Sequence, residues 1–176
     1  MGPIGYAVID IEALLLGPKV RVVEQVAFVI ISAATGREIL AEKHIIFQPK
    51  DVAELVEHYN QPREIVEFAV NAYRRITGDN HIHSDPAANP TWSAVKTRVR
   101  KIMRRRAIKV YAKGAALERT VFGKAFEIDD LEYYGCPKYP IAIHDPLEEC
   151  RFFSKFIPEL SPAPNYPVFV PYQFWQ

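Results

Sequence analysis

Apolar and polar positions alternate in two distinct rhythms along this chain. Residues 5–12, GYAVIDIE, form a short apolar run that closes on two acids, the signature of a buried strand. Residues 20–33, VRVVEQVAFVIISA, are rich in β-branched side chains and long enough to cross a sheet. ATGRE (34–38) has hairpin-turn composition, and ILAEKHIIFQP (39–49) runs back. The chain is therefore predicted to open with three antiparallel strands. After Pro49 the rhythm becomes helical. Asp51 stands as an N-cap before Val52, Leu55, Val56 and Tyr59. A second helix is bracketed by Pro62 and Gly78, and residues 78–90 read as a loop. A third helix is predicted from Asn89-Pro90, with Trp92, Val95, Val99 and Ile102 on its apolar face. A buried strand over 107–114, a helix over 115–126, a short strand or loop over 130–143 and a helix over 145–160 follow. Asp145 and Pro146 supply the cap and first position of that last helix.

This order predicts an α/β fold, a mixed sheet of three antiparallel strands and then parallel ones, flanked by helices. One domain is expected over 1–160, with the Pro- and aromatic-rich tail 161–176 packed on it in extended form. The 176 residues, 49% hydrophobic and 24% charged, suit one core and exclude a disordered chain. No apolar run reaches the ~18 residues a membrane span needs. The N-terminus has no basic start and carries Asp10 inside its apolar run, so it does not read as a signal peptide. Two cysteines do not make a disulfide scaffold, so an intracellular location is expected, with Cys136 and Cys150 as free thiols or metal ligands.

Net charge is only +1, so any preference for polyanions must be local. It is local: residues 96–113 hold nine basic residues and no acid. Arg98, Lys101, Arg104, Arg105, Arg106 and Lys113 are candidates for tracking phosphates, beside the alternative of a solvated helix face. Asp10 and Glu12, two apart on a strand, share one face. They either reach solvent or share a divalent cation, which takes hard oxygen ligands. Glu118 lies in the first turn of a helix that follows a strand and the Gly114 turn, which places it at the same end of the sheet. Glu149 stands a helical turn beyond His144, and the pair is left over once Asp145 and Glu148 are explained by the helix start.

The series VIDIEAL, VVEQVAFVI with TGREIL, VYAKGAALERTVF and HDPLEECRFF resembles the 3′–5′ exonucleases of the ribonuclease H-like fold that carry four acids and a histidine (the DEDDh type). The resemblance implies Mg²⁺ or Mn²⁺ held by Asp10, Glu12, Glu118 and Glu149, with His144 as general base. It implies hydrolysis of single-stranded nucleic acid, with RNA favoured. The family has Asp where this chain has Glu118 and Glu149. KGAALER and the GCPKYP…HDPLEEC order also resemble the Maelstrom domain, which shares that fold. There the implication is a structural Zn²⁺ on Glu118, Cys136, His144 and Cys150, in a non-catalytic RNA-binding module. A third expectation is an interaction domain that meets a protein partner through its tail.

Overall fold

The structure is a computed structural model that describes residues 2–49, 51–78, 85–105 and 107–160. The expected tail at 161–176, Arg106 and residues 79–84 of the loop before α3 lie outside the described residues.

Five strands form one sheet in the order β3-β2-β1-β4-β5. They are β1 (Gly5–Leu16), β2 (Val20–Ser32), β3 (Glu38–Ile45), β4 (Ile108–Ala112) and β5 (Ile128–Asp130). The first three pair antiparallel, and β4 and β5 add in parallel beside β1. The helices are α1 (Val52–Tyr59), α2 (Arg63–Thr77), α3 (Trp92–Arg105), α4 (Ala116–Phe122) and α5 (Pro146–Ser154). The expected mixed sheet with flanking helices is what forms.

The period-2 pattern of β1 sorts its side chains to two cores. Ala7, Ile9 and Ile11 face α3 and α4, meeting Val95, Val99, Met103 and Phe122. Tyr6 and Val8 face α5, meeting Tyr111, Cys150 and Phe153. Asp10 and Glu12 continue the second row. A third core of Leu14, Leu16 and Val22 packs against Leu55, Val66, Ala69 and Tyr73 of α1 and α2.

Several boundaries differ from the pattern reading. β1 runs to Leu16 rather than stopping at Glu12, because a bulge lets it bend. Glu12 pairs with Gln25 but Ala13 pairs with Val23, so Glu24 is the extra residue. The third helix starts at Trp92, not Asn89. The helix of Glu118 ends at Phe122, where Gly123 adopts a φ of 58° with ψ −133°. The segment read as strand or loop splits into β5 and a 3₁₀ turn, Leu131–Tyr134. The last helix stops at Ser154. The cap predictions hold. Asp51 accepts from Glu54 N at 2.9 Å, and Asp145 accepts from Leu147 N at 2.9 Å and Glu148 N at 3.3 Å.

Candidate metal centre

The centre is assembled where β1 outruns β4. Their ladder extends only to Val8 and Tyr111, so the next residues of β1 are open on that side. α4 fills the gap. Its first turn carries Glu118, which is only 3% exposed. Asp130 of β5 sets that turn, accepting from Gly114 N at 2.9 Å and Ala115 N at 3.0 Å. It also caps the following 3₁₀ turn through Glu132 N at 2.9 Å.

From the other side, α5 is pinned by Cys150, whose fully buried Sγ donates to Ala27 O at 3.5 Å. Ala27 is the β2 partner of Asp10. The preceding residue, Glu149, is thereby brought onto the acids. One oxygen from each of Asp10, Glu12 and Glu149 lies within 4.8 Å of the other two.

His144 closes the cluster. Its backbone N–H donates to Ile76 O at 3.2 Å, at the end of α2. Its ring Nδ1 hydrogen-bonds Glu149 Oε1, and Tyr139 lies alongside with ring centroids 6.1 Å apart. Beside Glu12 a small cleft of about 160 Å³ is walled by Leu15, Phe68, Ala69 and Tyr73, among others. Phe68 stands 71% exposed at its rim.

Gathering carboxylates out of water disfavours their ionised forms. Burial, then repulsion from Glu149, Glu12 and Glu118, holds the Asp10 carboxyl well above its usual range. Burial, then Glu149, lifts Glu12 from 4.5 to about 7. Burial lifts Glu118 from 4.5 to about 7, and it raises Glu149 against the opposing pull of His144. Asp10 Oδ2 and Glu118 Oε2 are sealed from water without a hydrogen-bond partner among the described residues. Oxygen-only donors, mutual repulsion and an orphaned lone pair are the features a hard divalent cation satisfies, so Asp10, Glu12 and Glu149 fit such an ion, while Glu118 lies outside their 4.8 Å cluster.

The other sequence-based candidates are placed differently. The zinc quartet is not assembled: among the described residues, the ligand cluster found is Asp10, Glu12 and Glu149. The Sγ of Cys136 donates to Pro137 O at 3.7 Å, and that of Cys150 to Ala27 O. Burial pushes the Cys136 thiol up to about 11 and raises Cys150 too, which opposes the thiolate that zinc binds. The basic stretch, expected beside the acids, packs through α3 on the opposite face of the sheet. Arg98 is paired bidentately with Glu42, Arg104 Nε donates to Ala125 O at 2.7 Å, and Lys113 pairs with Glu132. Lys101 is exposed. Three contributors escape pattern reading: the Glu24 bulge, the Asp130 clamp and the Ile76 carbonyl. An Asp followed two residues on by a turn is the only trace of the second in the sequence.

No protein-family model matches the chain, and no curated protein sequence does. Solved structures do. E. coli exonuclease I in complex with a 5cy-dA13 oligonucleotide aligns with a TM-score of 0.60 at 13% identity, over 89% of this chain and 40% of that one. The chain has the exonuclease I fold. A zinc-bound E. coli exonuclease I–ssDNA complex gives a TM-score of 0.48 at 14% identity, over 69% of this chain and 23% of that one. Exonuclease I of Methylocaldum szegediense gives 0.47 at 11%, over 66% and 22%. The chain thus spans less than half the length of these exonuclease I structures.

Proposed function

We propose that this domain is a metal-dependent 3′–5′ exonuclease of single-stranded nucleic acid, of the DEDDh type. The observation that carries the reading is the convergence of Asp10, Glu12 and Glu149 at the end of the central strand, with His144 bonded to one of them. Those three acids would hold a divalent cation such as Mg²⁺ or Mn²⁺, with Glu118 as the fourth carboxylate. A bound cation supplies neutralisation of the scissile phosphate and a lowered pKa for a water molecule.

The chain's own groups do the rest. Glu149 occupies Nδ1 of His144 and so presents Nε2 as the basic nitrogen. His144 accepts the proton of the attacking water at Nε2, and the carboxylate on Nδ1 steadies the imidazolium that forms. The Ile76 carbonyl fixes the backbone of that residue. Phe68, at the rim of the cleft beside Glu12, offers an apolar surface to the terminal base.

The test uses 5′-labelled single-stranded RNA and DNA 20-mers with Mg²⁺ or Mn²⁺. Stepwise shortening from the 3′ end that stops in EDTA and in Asp10→Asn is expected. Internal cuts, shortening from the 5′ end, or full activity in Asp10→Asn would contradict the reading.

A further inference from the structure

Asp10, Glu12 and Glu149 sit on the α5 face of the sheet, and the densest positive charge sits on the other. α3 carries no acid over Trp92–Arg105. Its apolar side, Val95, Val99 and Met103, is consumed by the core. The exposed positions are Ser93, Ala94, Thr97, Arg98, Lys101 and Arg104, and the half-buried Lys96 and Arg100 flank them. Lys96, Arg100 and Arg104 stand four residues apart and so form one row, with about 6 Å of helix rise between neighbours. Lys101 flanks that row and is exposed. Arg104 reaches across to Ala125 O, which joins the row to the exposed Lys124.

Glu42 of β3 is bonded to α3 through Arg98, and it also bonds His44. Arg98 is thereby neutralised while the rest of the row is not. A helix that needed only a soluble outer face would mix both signs, since like charges four apart repel. Four cations on one acid-free helix, with Lys124 beyond them, are an arrangement that a polyanion would stabilise, although Glu127 lines the same cavity as Lys124.

The row also has a path to the acids. Trp92 at the start of α3 packs edge-to-face on Phe122, their centroids 5.8 Å apart. Phe122 belongs to α4, the helix that carries Glu118. Lys96 sits over the Trp92 ring at 5.8 Å. The start of the basic row is therefore adjacent to the helix that closes the acid cluster.

We infer that α3, through the exposed Lys101 and Arg104, the half-buried Lys96 and Arg100 at their flank, and Lys124 beyond, is a second nucleic-acid contact that grips the phosphate backbone away from the acid cluster. Its occupant is the single strand whose 3′ end reaches the acids, and only this choice of strand rests on the proposed exonuclease activity. Such a contact recognises charge rather than sequence, so its affinity falls with salt.

The test is anisotropy of labelled dT20 and rU20 in EDTA, from 50 to 200 mM NaCl. The variants are Lys96→Gln/Arg100→Gln/Lys101→Gln and a control that removes the same charge elsewhere, Arg37→Gln/Lys138→Gln/Lys155→Gln. Losing three phosphate contacts lowers the slope of log K against log salt by about 2, at ~0.7 per contact, and weakens binding about tenfold or more at 50 mM. The control is expected to stay within about twofold of the unaltered protein. Equal affinity and slope in the α3 variant, equal loss in the control, or tighter binding of a 20-base-pair duplex than of the single strand would each overturn the inference. Because EDTA removes the cation, failure here leaves the cleavage reading standing, and absence of cleavage in Mn²⁺ leaves this contact standing.

Discussion

Replacing Glu118 by Gln isolates the electrostatic tension at the centre. Glu118 is almost wholly buried, and burial raises its carboxyl from 4.5 to about 7. The folded-state value lies above the unfolded one, so the stabilisation is full below pH 4.5 and is lost as pH rises through 7. At about 1.4 kcal/mol per tenfold, ionising this group costs the fold on the order of 3 kcal/mol by pH 8.5. Gln is close to Glu in size and cannot ionise. In EDTA the variant should therefore match the original protein at pH 4 and exceed it by up to about 3 kcal/mol at pH 8.5. Urea denaturation at pH 4, 7 and 8.5 measures this directly. In saturating Mn²⁺ the advantage should vanish or reverse, because an ion that binds only the folded state stabilises it by mass action. A Gln variant that is less stable in EDTA at pH 8.5, or equally shifted at pH 4, would refute the reasoning.

Other outcomes follow from particular contacts. Asp130→Ala removes three acceptor contacts from the β4–α4 and 3₁₀ turns and should cost about 2 kcal/mol at pH 7 by chemical denaturation. Those backbone N–H groups hold the Asp130 carboxyl below its ordinary 3.8, so its contribution is present above that value. Variant and original should converge as pH falls through the lower folded-state value. His144→Asn should reduce turnover by about 10²–10⁴ with KM little changed, read from initial rates on a labelled oligonucleotide. Cys136→Ser should leave both metal content and cleavage unaltered, since the Cys136 thiol is seen bonded to Pro137 O and not to the acids; loss of one bound metal by elemental analysis would revive the zinc arrangement. Phe68→Ala should raise KM by about tenfold, with stability nearly unchanged for a side chain that is 71% exposed.

Much of this architecture is legible along the chain because local chemistry and tertiary demand agree. The caps at Asp51 and Asp145, the Pro62–Gly78 bracket and the β-branched run of β2 each follow from short-range rules. Asp10 and Glu12 were visible as acids on one face of a strand, and Glu149 as an acid a turn beyond His144. What the sequence withholds is set by long-range packing. The Glu24 bulge exists because β1 must turn toward α1 and α2. The two cysteines look like ligands in the sequence, but one is a pin between α5 and β2 and the other contacts the carbonyl of the next residue, Pro137. The basic stretch precedes the strand of Glu118 by only a few residues, which suggested proximity. An α-helix running back beside a sheet packs on one face, and α3 packs on the face away from the acids.

Mn²⁺ binding followed by electron paramagnetic resonance tests the central claim most directly. The chelator-treated protein should bind Mn²⁺ at a site lost in Asp10→Asn and in Glu149→Gln, and retained in Cys136→Ser. Mn²⁺ binding unaffected by Asp10→Asn, or no binding at millimolar Mn²⁺, would contradict a divalent-cation centre on these acids.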